Sequence, residues 1–342
     1  MKRAIKRGLL AVFAFLVLVV VVLGVRWYRR ANQVADPNFN ATVAHPAYLG
    51  QHPKVLFDEA HHNFHTADGR YKPFVDLITN DGYRVSSNRL KFNGQTLEGY
   101  NVLVIANAMG AILPILPGAR KPAFTEQECD AVREWVHEGG SLLLIADHDP
   151  AGGAAEILAK RFGVDMSKGH TFDRANYEEI GGTSWLVFSS ENHLLDDDAI
   201  TQGRDASERI KRVIAFTGQS LKGPEGSMPF LRLADTAYDL LPSGQRVSAS
   251  GRAVGIALQF GKGRVVVLGE AAMMTAQLAG TEKFAFGMNY PGTDDRQLAL
   301  NIMHWLSGAL NLALQGKPNG ALNGVENVEP SRHRQEVAEI FP

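Results

Sequence analysis

The chain predicts an α/β domain built on a mainly parallel sheet that is covered on both faces. Two observations carry this. Apolar runs that are continuous rather than alternating, at 55–57, 101–106 and 141–146, read as strands buried on both sides. Between them lie amphipathic helical stretches, and strands alternating with helices are the pattern of a parallel sheet. A hydrophobic content of 45% in 342 residues supplies a core large enough for such a domain.

The elements follow in order. Val55-Leu-Phe-Asp58 opens a strand. Pro73 in a first turn and Asp81-Gly82 beyond Ile78 bound a helix. Residues 83–85 give a short strand and 101–106 a clear one. Thr125-Glu-Gln-Glu128 is a capping box, and its helix runs to Gly139-Gly140 with Val132, Trp135 and Val136 as the apolar face. Cys129, the single cysteine, falls inside that helix and reads as a buried, inert thiol; one cysteine excludes an internal disulfide and a multi-cysteine metal site. The strand 141–146 is followed by Pro150-Ala-Gly-Gly-Ala and a helix to Phe162. From 165 to 250 the pattern is less regular, with strands expected at 186–189, 213–216 and 230–233. Residues 254–259 and 264–268, joined through Gly261-Lys-Gly263, form an antiparallel hairpin, and 295–306 a closing helix.

The ends differ from the middle. Residues 8–25 are unbroken apolar or small, and as a helix would rise roughly 27 Å, close to a bilayer core. Lys2, Arg3, Lys6 and Arg7 precede the run, and Arg26-Trp-Tyr-Arg-Arg30 follows it where a cleaved signal would carry a small-x-small site. The expectation is an uncleaved transmembrane anchor over 1–30, with the bilayer as partner through 8–25. The chain would then be single-pass in the inner (plasma) membrane with its domain extracytoplasmic. Residues 31–53 read as a linker and 311–342 as a flexible tail. A net charge of −1 removes nucleic acid as a partner; an envelope or membrane protein is the partner a lone anchor suggests.

In a parallel sheet, ligands bind beyond the carboxyl ends of the strands. The first strand runs into Asp58, Glu59, His61, His62, Asn63 and His65, the next long one into Asn107, the third into Asp147 and His148, and the late one into Glu270. Four strand ends on one edge would gather these residues into a ligand-binding site. One reading is a metal site for zinc, manganese or iron held by Asp58, His61, His65, Asp147 and His148, imidazoles and carboxylates being the usual donors. A metal-free polar pocket is a second reading. A third leaves them as turn and cap residues, as Asx side chains often are. Gly152-Gly153 at a helix start could hold an anion or serve close packing.

The segments Val55-Leu-Phe-Asp58, Trp135-Val-x-Glu-Gly-Gly-Ser-Leu-Leu-Leu-Ile-Ala-Asp147, Gly263-Arg-Val-Val-Val-Leu-Gly-Glu270 and Gln297-Leu-Ala-Leu-Asn-Ile-Met-His-Trp-Leu306 resemble, in that order, the class I glutamine amidotransferase-like branch of flavodoxin-type folds. Within it they resemble an uncharacterised group of membrane-linked bacterial domains. The resemblance covers roughly 54–308 and implies a flavodoxin-like three-layer sandwich for a domain spanning 54–310. True glutamine amidotransferases carry a nucleophilic cysteine at a strand-to-helix turn. The comparable turns here, Asn107-Ala-Met-Gly110 and Asp147-His-Asp-Pro150, have no thiol, so glutaminase chemistry is not expected. Two functions remain. One is recognition of a small molecule, a saccharide or another envelope component at the Asp/His edge. The alternative is a metal-dependent hydrolase at the same site, with Glu59 or Glu270 as general base.

Overall fold

The computed structural model describes residues 33–280 and 283–310, together with Phe13, 15–20 and Val22. The expected anchor falls largely outside the described residues, and the expected tail over 311–342 lies outside them. Among the described residues no helix is long and apolar enough to cross a membrane.

The fold is mixed α/β around one large sheet. Its parallel part consists of β1 (Lys54–Asp58), β2 (Arg84–Asn88), β3 (Val102–Ala106), β4 (Ser141–Ile145) and, after a hairpin with β5 (Ala253–Phe260), β6 (Gly263–Leu268). The spatial order is β2-β1-β3-β4-β6, with β5 antiparallel beyond β6. Every residue of β3 and β4 is buried, the burial that continuous apolar runs require. Alternate side chains feed two cores. Val55, Phe57, Val104 and Leu143 face one that also takes Phe74 and Leu77 of α1 (Lys72–Asn80) and the closing helix. Leu56, Leu103, Ile105 and Leu142 face the other, which takes Val132 and Val136 of α2 (Glu126–His137) and Ala155 and Leu158 of α3 (Ala151–Lys160). The closing helix is α4 (Asp295–Ser307), ended by Gly308 in the left-handed region. Thr125 and Glu128 do form the capping box, each side chain bonded to the other's backbone N–H.

Between β4 and β5 the chain builds smaller antiparallel sheets that the sequence shows only in part. Arg212–Phe216 pairs with Gly182–Ser189, and His170–Asp173 pairs with Ala237–Leu240. Outside that interval a third sheet joins Ala276–Ala279 to Phe284–Gly287, both after β6, and to Val34–Ala35, before β1. That last pairing, with Val34 opposite Leu278, anchors the stretch read as a linker. Phe39, Ala41, Val43 and Tyr48 from the same stretch pack on the core, and the Tyr48 hydroxyl donates to Ser307 Oγ at 2.8 Å. The stretch therefore lies on the domain, because its scattered apolar residues find a surface that a sequence window cannot show.

The turn between β5 and β6 leaves no room for a side chain. A Cβ at Gly263 would lie 2.0 Å from the Gly140 carbonyl oxygen and 2.2 Å from that of Val136. Both are backbone atoms at the end of α2, so neither yields as a side-chain tip would. Gly263→Ala is expected to cost about 3 kcal/mol, the upper part of the overpacking range, read as a lower urea midpoint at unchanged slope. A cost within about 0.5 kcal/mol, the range of ordinary surface changes, would show that the turn moves freely.

Candidate functional site

The order β2-β1-β3-β4-β6 turns back on itself between β1 and β3, and the carboxyl ends of β1, β3, β4 and β6 lie side by side. A crevice at such a switch point is where open α/β sheets hold ligands. Here it opens into a pocket of about 460 Å³, whose lining includes His65, Asn107, Asp147, His148 and Glu270.

Asp147 follows β4 directly and is held on three sides. Its Oδ2 accepts from Asn107 Nδ2 at 2.7 Å, its Oδ1 from the Ala271 N–H at 2.6 Å, and its own N–H donates to Asn107 Oδ1 at 2.9 Å. Asn107, at the end of β3, sits at φ 48°, a left-handed value that asparagine tolerates. Gln219 braces the turn from below, donating through Nε2 to the carbonyls of Ala146 and Asp147, each at 2.9 Å. Glu270, at the end of β6, takes the Ala272 and Met273 N–H groups on its two oxygens at 2.7 Å each. Burial, with the Asp147 charge beside it, pushes its carboxyl up to about 8. Burial raises Asp147 as well, against the opposing pull of His148 and Asn107. At neutral pH Glu270 thus keeps its proton beside Asp147.

His65 is 3% exposed, and burial takes its imidazole down to about 3, so it is neutral. Its Nδ1 has no hydrogen-bond partner, and its ring packs on Tyr71 at 4.9 Å. His148 stacks on His170 at 3.6 Å and turns Nδ1 to the Asp149 carbonyl. The opposite wall is aromatic. Trp185, Phe216, Phe284 and Phe286 all line the pocket, Trp185 meeting Phe216 edge-on at 4.8 Å. These four come from the antiparallel segments, so no run or spacing in the sequence marks them as neighbours of Asp147. Arg70 and Gln33 complete one side of the mouth.

Asp58 and His61 belong to a second, closed cluster. His61 Nδ1 contacts both Asp58 oxygens at 2.9 and 3.0 Å, while Nε2 contacts Glu128 Oε1 at 2.8 Å. Phe92 and Phe124, stacked on each other at 5.9 Å, both pack against the ring at 4.7 Å. Hydrogen bonds and charge from the two carboxylates outweigh burial and raise the His61 pKa. Asn63 closes the cluster, donating to Asp58 Oδ2 at 3.0 Å. Both His61 nitrogens are therefore committed to carboxylates. The five residues read as a metal set, Asp58, His61, His65, Asp147 and His148, do not converge. Among the described residues the one group whose donor atoms gather closely is Glu134, His137 and Glu138, exposed on α2 and the residue after it.

The remaining sequence candidates sit outside the pocket. His62 faces solvent at φ 49°. Glu59 binds the Ala67 N–H, Ser87 Oγ and Arg89, which fits a structural duty better than that of a general base. Gly152 is a packing glycine: a Cβ there would lie 2.5 Å from Gln219 Nε2 and 2.9 Å from the Asp147 carbonyl oxygen. Cys129 is fully buried, and burial drives its thiol up to about 12, which leaves it inert.

No protein family is matched by the chain, and no curated protein matches it. Solved structures do resemble it. The structure titled "mmIFT52 N-terminal domain" is 13% identical with a TM-score of 0.54, over 74% of this chain and 97% of that one. A ThuA-like protein from Bacteroides uniformis is 13% identical with a TM-score of 0.38, over 79% of this chain and 95% of its own. A second ThuA-like protein, from Parabacteroides merdae, is 12% identical with a TM-score of 0.40, over 75% and 90%. At these identities the likeness is one of fold alone.

Proposed function

We propose that the pocket recognises a saccharide or a comparably polyhydroxylated small molecule of the cell envelope. The observation that carries this reading is a single pocket whose lining sets Asp147 and the buried Glu270 together with aromatic side chains headed by Trp185. A sugar ring offers hydroxyls that both donate and accept along its edge, and an apolar C–H face. The ionised carboxylate accepts, the protonated one donates, and the neutral His65 ring supports either role. The indole and phenyl rings take the apolar face. A volume of about 460 Å³ suits a ligand of one or two rings and lies in the usual range for small-molecule sites.

The test is titration calorimetry of the full chain in detergent with a panel of mono- and disaccharides, including amino sugars. Asp147→Asn and Trp185→Ala are each expected to weaken the best ligand by about tenfold or more, the loss of one charged hydrogen bond or one stacked ring. Silence across the panel, or unchanged affinity in both variants, would sink the proposal. Hydrolysis is favoured by one specific observation: a buried glutamic acid that keeps its proton to about 8 is suited to general-acid work. Product release from the bound saccharide, lost in Glu270→Gln, would convert recognition into catalysis. The metal-dependent form of that reading would need ligands other than the five expected from the sequence.

A further inference from the structure

The loop that leaves β3 displays apolar side chains to solvent. Ile112 is 71% exposed, Leu113 50%, Ile115 86% and Leu116 41%. The backbone that presents them is held: Leu116 N–H donates to the Leu113 carbonyl, Ala119 N–H to that of Leu116, and Gly110 N–H to that of Ala119 at 2.8 Å. Large apolar residues on a fixed loop are costly in water and mark a surface meant to be covered. Pro114 of this loop lines the pocket, so the loop is part of its rim. Phe64 and Phe284, 44% and 37% exposed, line the same pocket. Lys121 stands exposed at the base of the loop, where a cation would meet phosphate headgroups, beside Arg120, which is paired with Asp149 at 2.9 Å.

Chain length identifies the occupant. Gln33 lines the pocket, and Val34 is fixed by its pairing with Leu278. The apolar run ends at Val25, eight residues before Gln33. At no more than about 3.6 Å per residue, eight residues reach at most about 29 Å. An anchored run would thus hold this pocket within about one protein-domain diameter of the bilayer surface. The described positions of the run, Phe13, 15–20 and Val22, are helical, and all but Val19 are exposed.

We propose that the 111–117 loop is a second lipid contact, dipping into the headgroup and upper acyl region so that the pocket rim rests on the membrane. The proposal rests on the reading of 8–25 as an anchor and is independent of the pocket's ligand.

The test uses the full chain in liposomes of phosphatidylethanolamine and phosphatidylglycerol. Cys129 is buried, so introduced thiols can be labelled selectively with a polarity-sensitive fluorophore. Ile115→Cys reports the loop, Leu16→Cys the anchor, and Ser243→Cys an exposed turn outside the pocket lining. The label at 115 is expected to shift to the blue and to lose at least half its emission to lipids spin-labelled near the headgroup. It should be shielded from iodide relative to the label at 243. Equal iodide quenching at 115 and 243, with 16 quenched by deep spin labels, would overturn the loop proposal and keep the anchor. No lipid quenching at 16 would overturn the anchor and the proposal with it. Shielding of 115 from iodide and lipid alike would assign the loop to a protein cover, a second copy or another part of this chain, and would also overturn it.

Discussion

His61→Ala should lower the stability of the domain by about 3–5 kcal/mol, the cost of removing one partner from a buried ion pair. The side chain is 4% exposed between Asp58, 0% exposed, and Glu128, 3% exposed, and it bonds to both. Its loss leaves the two carboxylates beside Phe92 and Phe124 without the cation that bridges them, Lys91 reaching only Glu128, at 3.6 Å. The origin of the effect is separable. If unpaired charge dominates, adding Glu128→Gln to His61→Ala should restore stability, whereas if lost packing dominates it should not. The pH window follows from the two shifts. The His61 pKa is raised, so its contribution is full below its ordinary value of 6.5 and fades as pH rises through the higher folded value. The Glu128 carboxyl is lowered to about 2, with burial outweighed by bonds from Thr125 and His61, so its contribution is full above 4.5 and fades as pH falls through 2. The two overlap fully between pH 4.5 and 6.5. Urea unfolding at pH 5.5 is the measurement, and a cost below about 1 kcal/mol, the range of an exposed pair, would refute the account.

The same cluster shows what the sequence could and could not carry. The parallel strands were legible because each is a short apolar run closed by a polar residue, and their topology placed Asp58, Asn107, Asp147 and Glu270 at one edge. Sorting those residues by role was not possible from the chain alone. An imidazole in a loop after a strand reads equally as a metal ligand and as an ion-paired core group. The partner that decides the matter, Glu128, lies 67 positions away, where its local sequence marks it only as part of a helix cap. His304 behaves in the same way: it is fully buried, and its Nε2 meets Asp81 Oδ2 at 2.7 Å across 223 residues. The aromatic wall was hidden for another reason. Trp185, Phe216, Phe284 and Phe286 sit on short antiparallel strands whose pairing depends on tertiary packing more than on local pattern.

Between pH 6.5 and 8 the stability of the domain should fall. Glu270 titrates at about 8 in the folded chain against an ordinary 4.5, and Asp295, buried at the start of α4, at about 8 against 3.8. In this interval the native state keeps protons that the unfolded chain has released, so the unfolding free energy decreases as pH rises. His65 acts in the opposite sense, but only between about 3 and its ordinary 6.5, so it is silent above that. His61, with its raised pKa, adds to the fall. At 1.36 kcal/mol per proton per pH unit, Glu270 and Asp295 together should remove on the order of 3 kcal/mol. Glu270→Gln carries a cost of its own, because the amide NH2 would face a backbone N–H where both oxygens of the carboxyl now take one. It should start about 1 kcal/mol lower at pH 6.5 and then lose less than the wild type as pH rises. Asp295→Asn, whose carboxyl meets the Thr293 side chain as well as the Ile214 N–H at 3.4 Å, should reduce the slope at a cost of about 1 kcal/mol at pH 6.5. Urea midpoints at pH 6.5, 7.25 and 8 for the wild type and both variants are the measurement. A wild-type midpoint that holds or rises across the interval would mean that the carboxyls ionise in place. Glu270 would then hold no proton at neutral pH, and the donor role that recognition assigns to it would go with it.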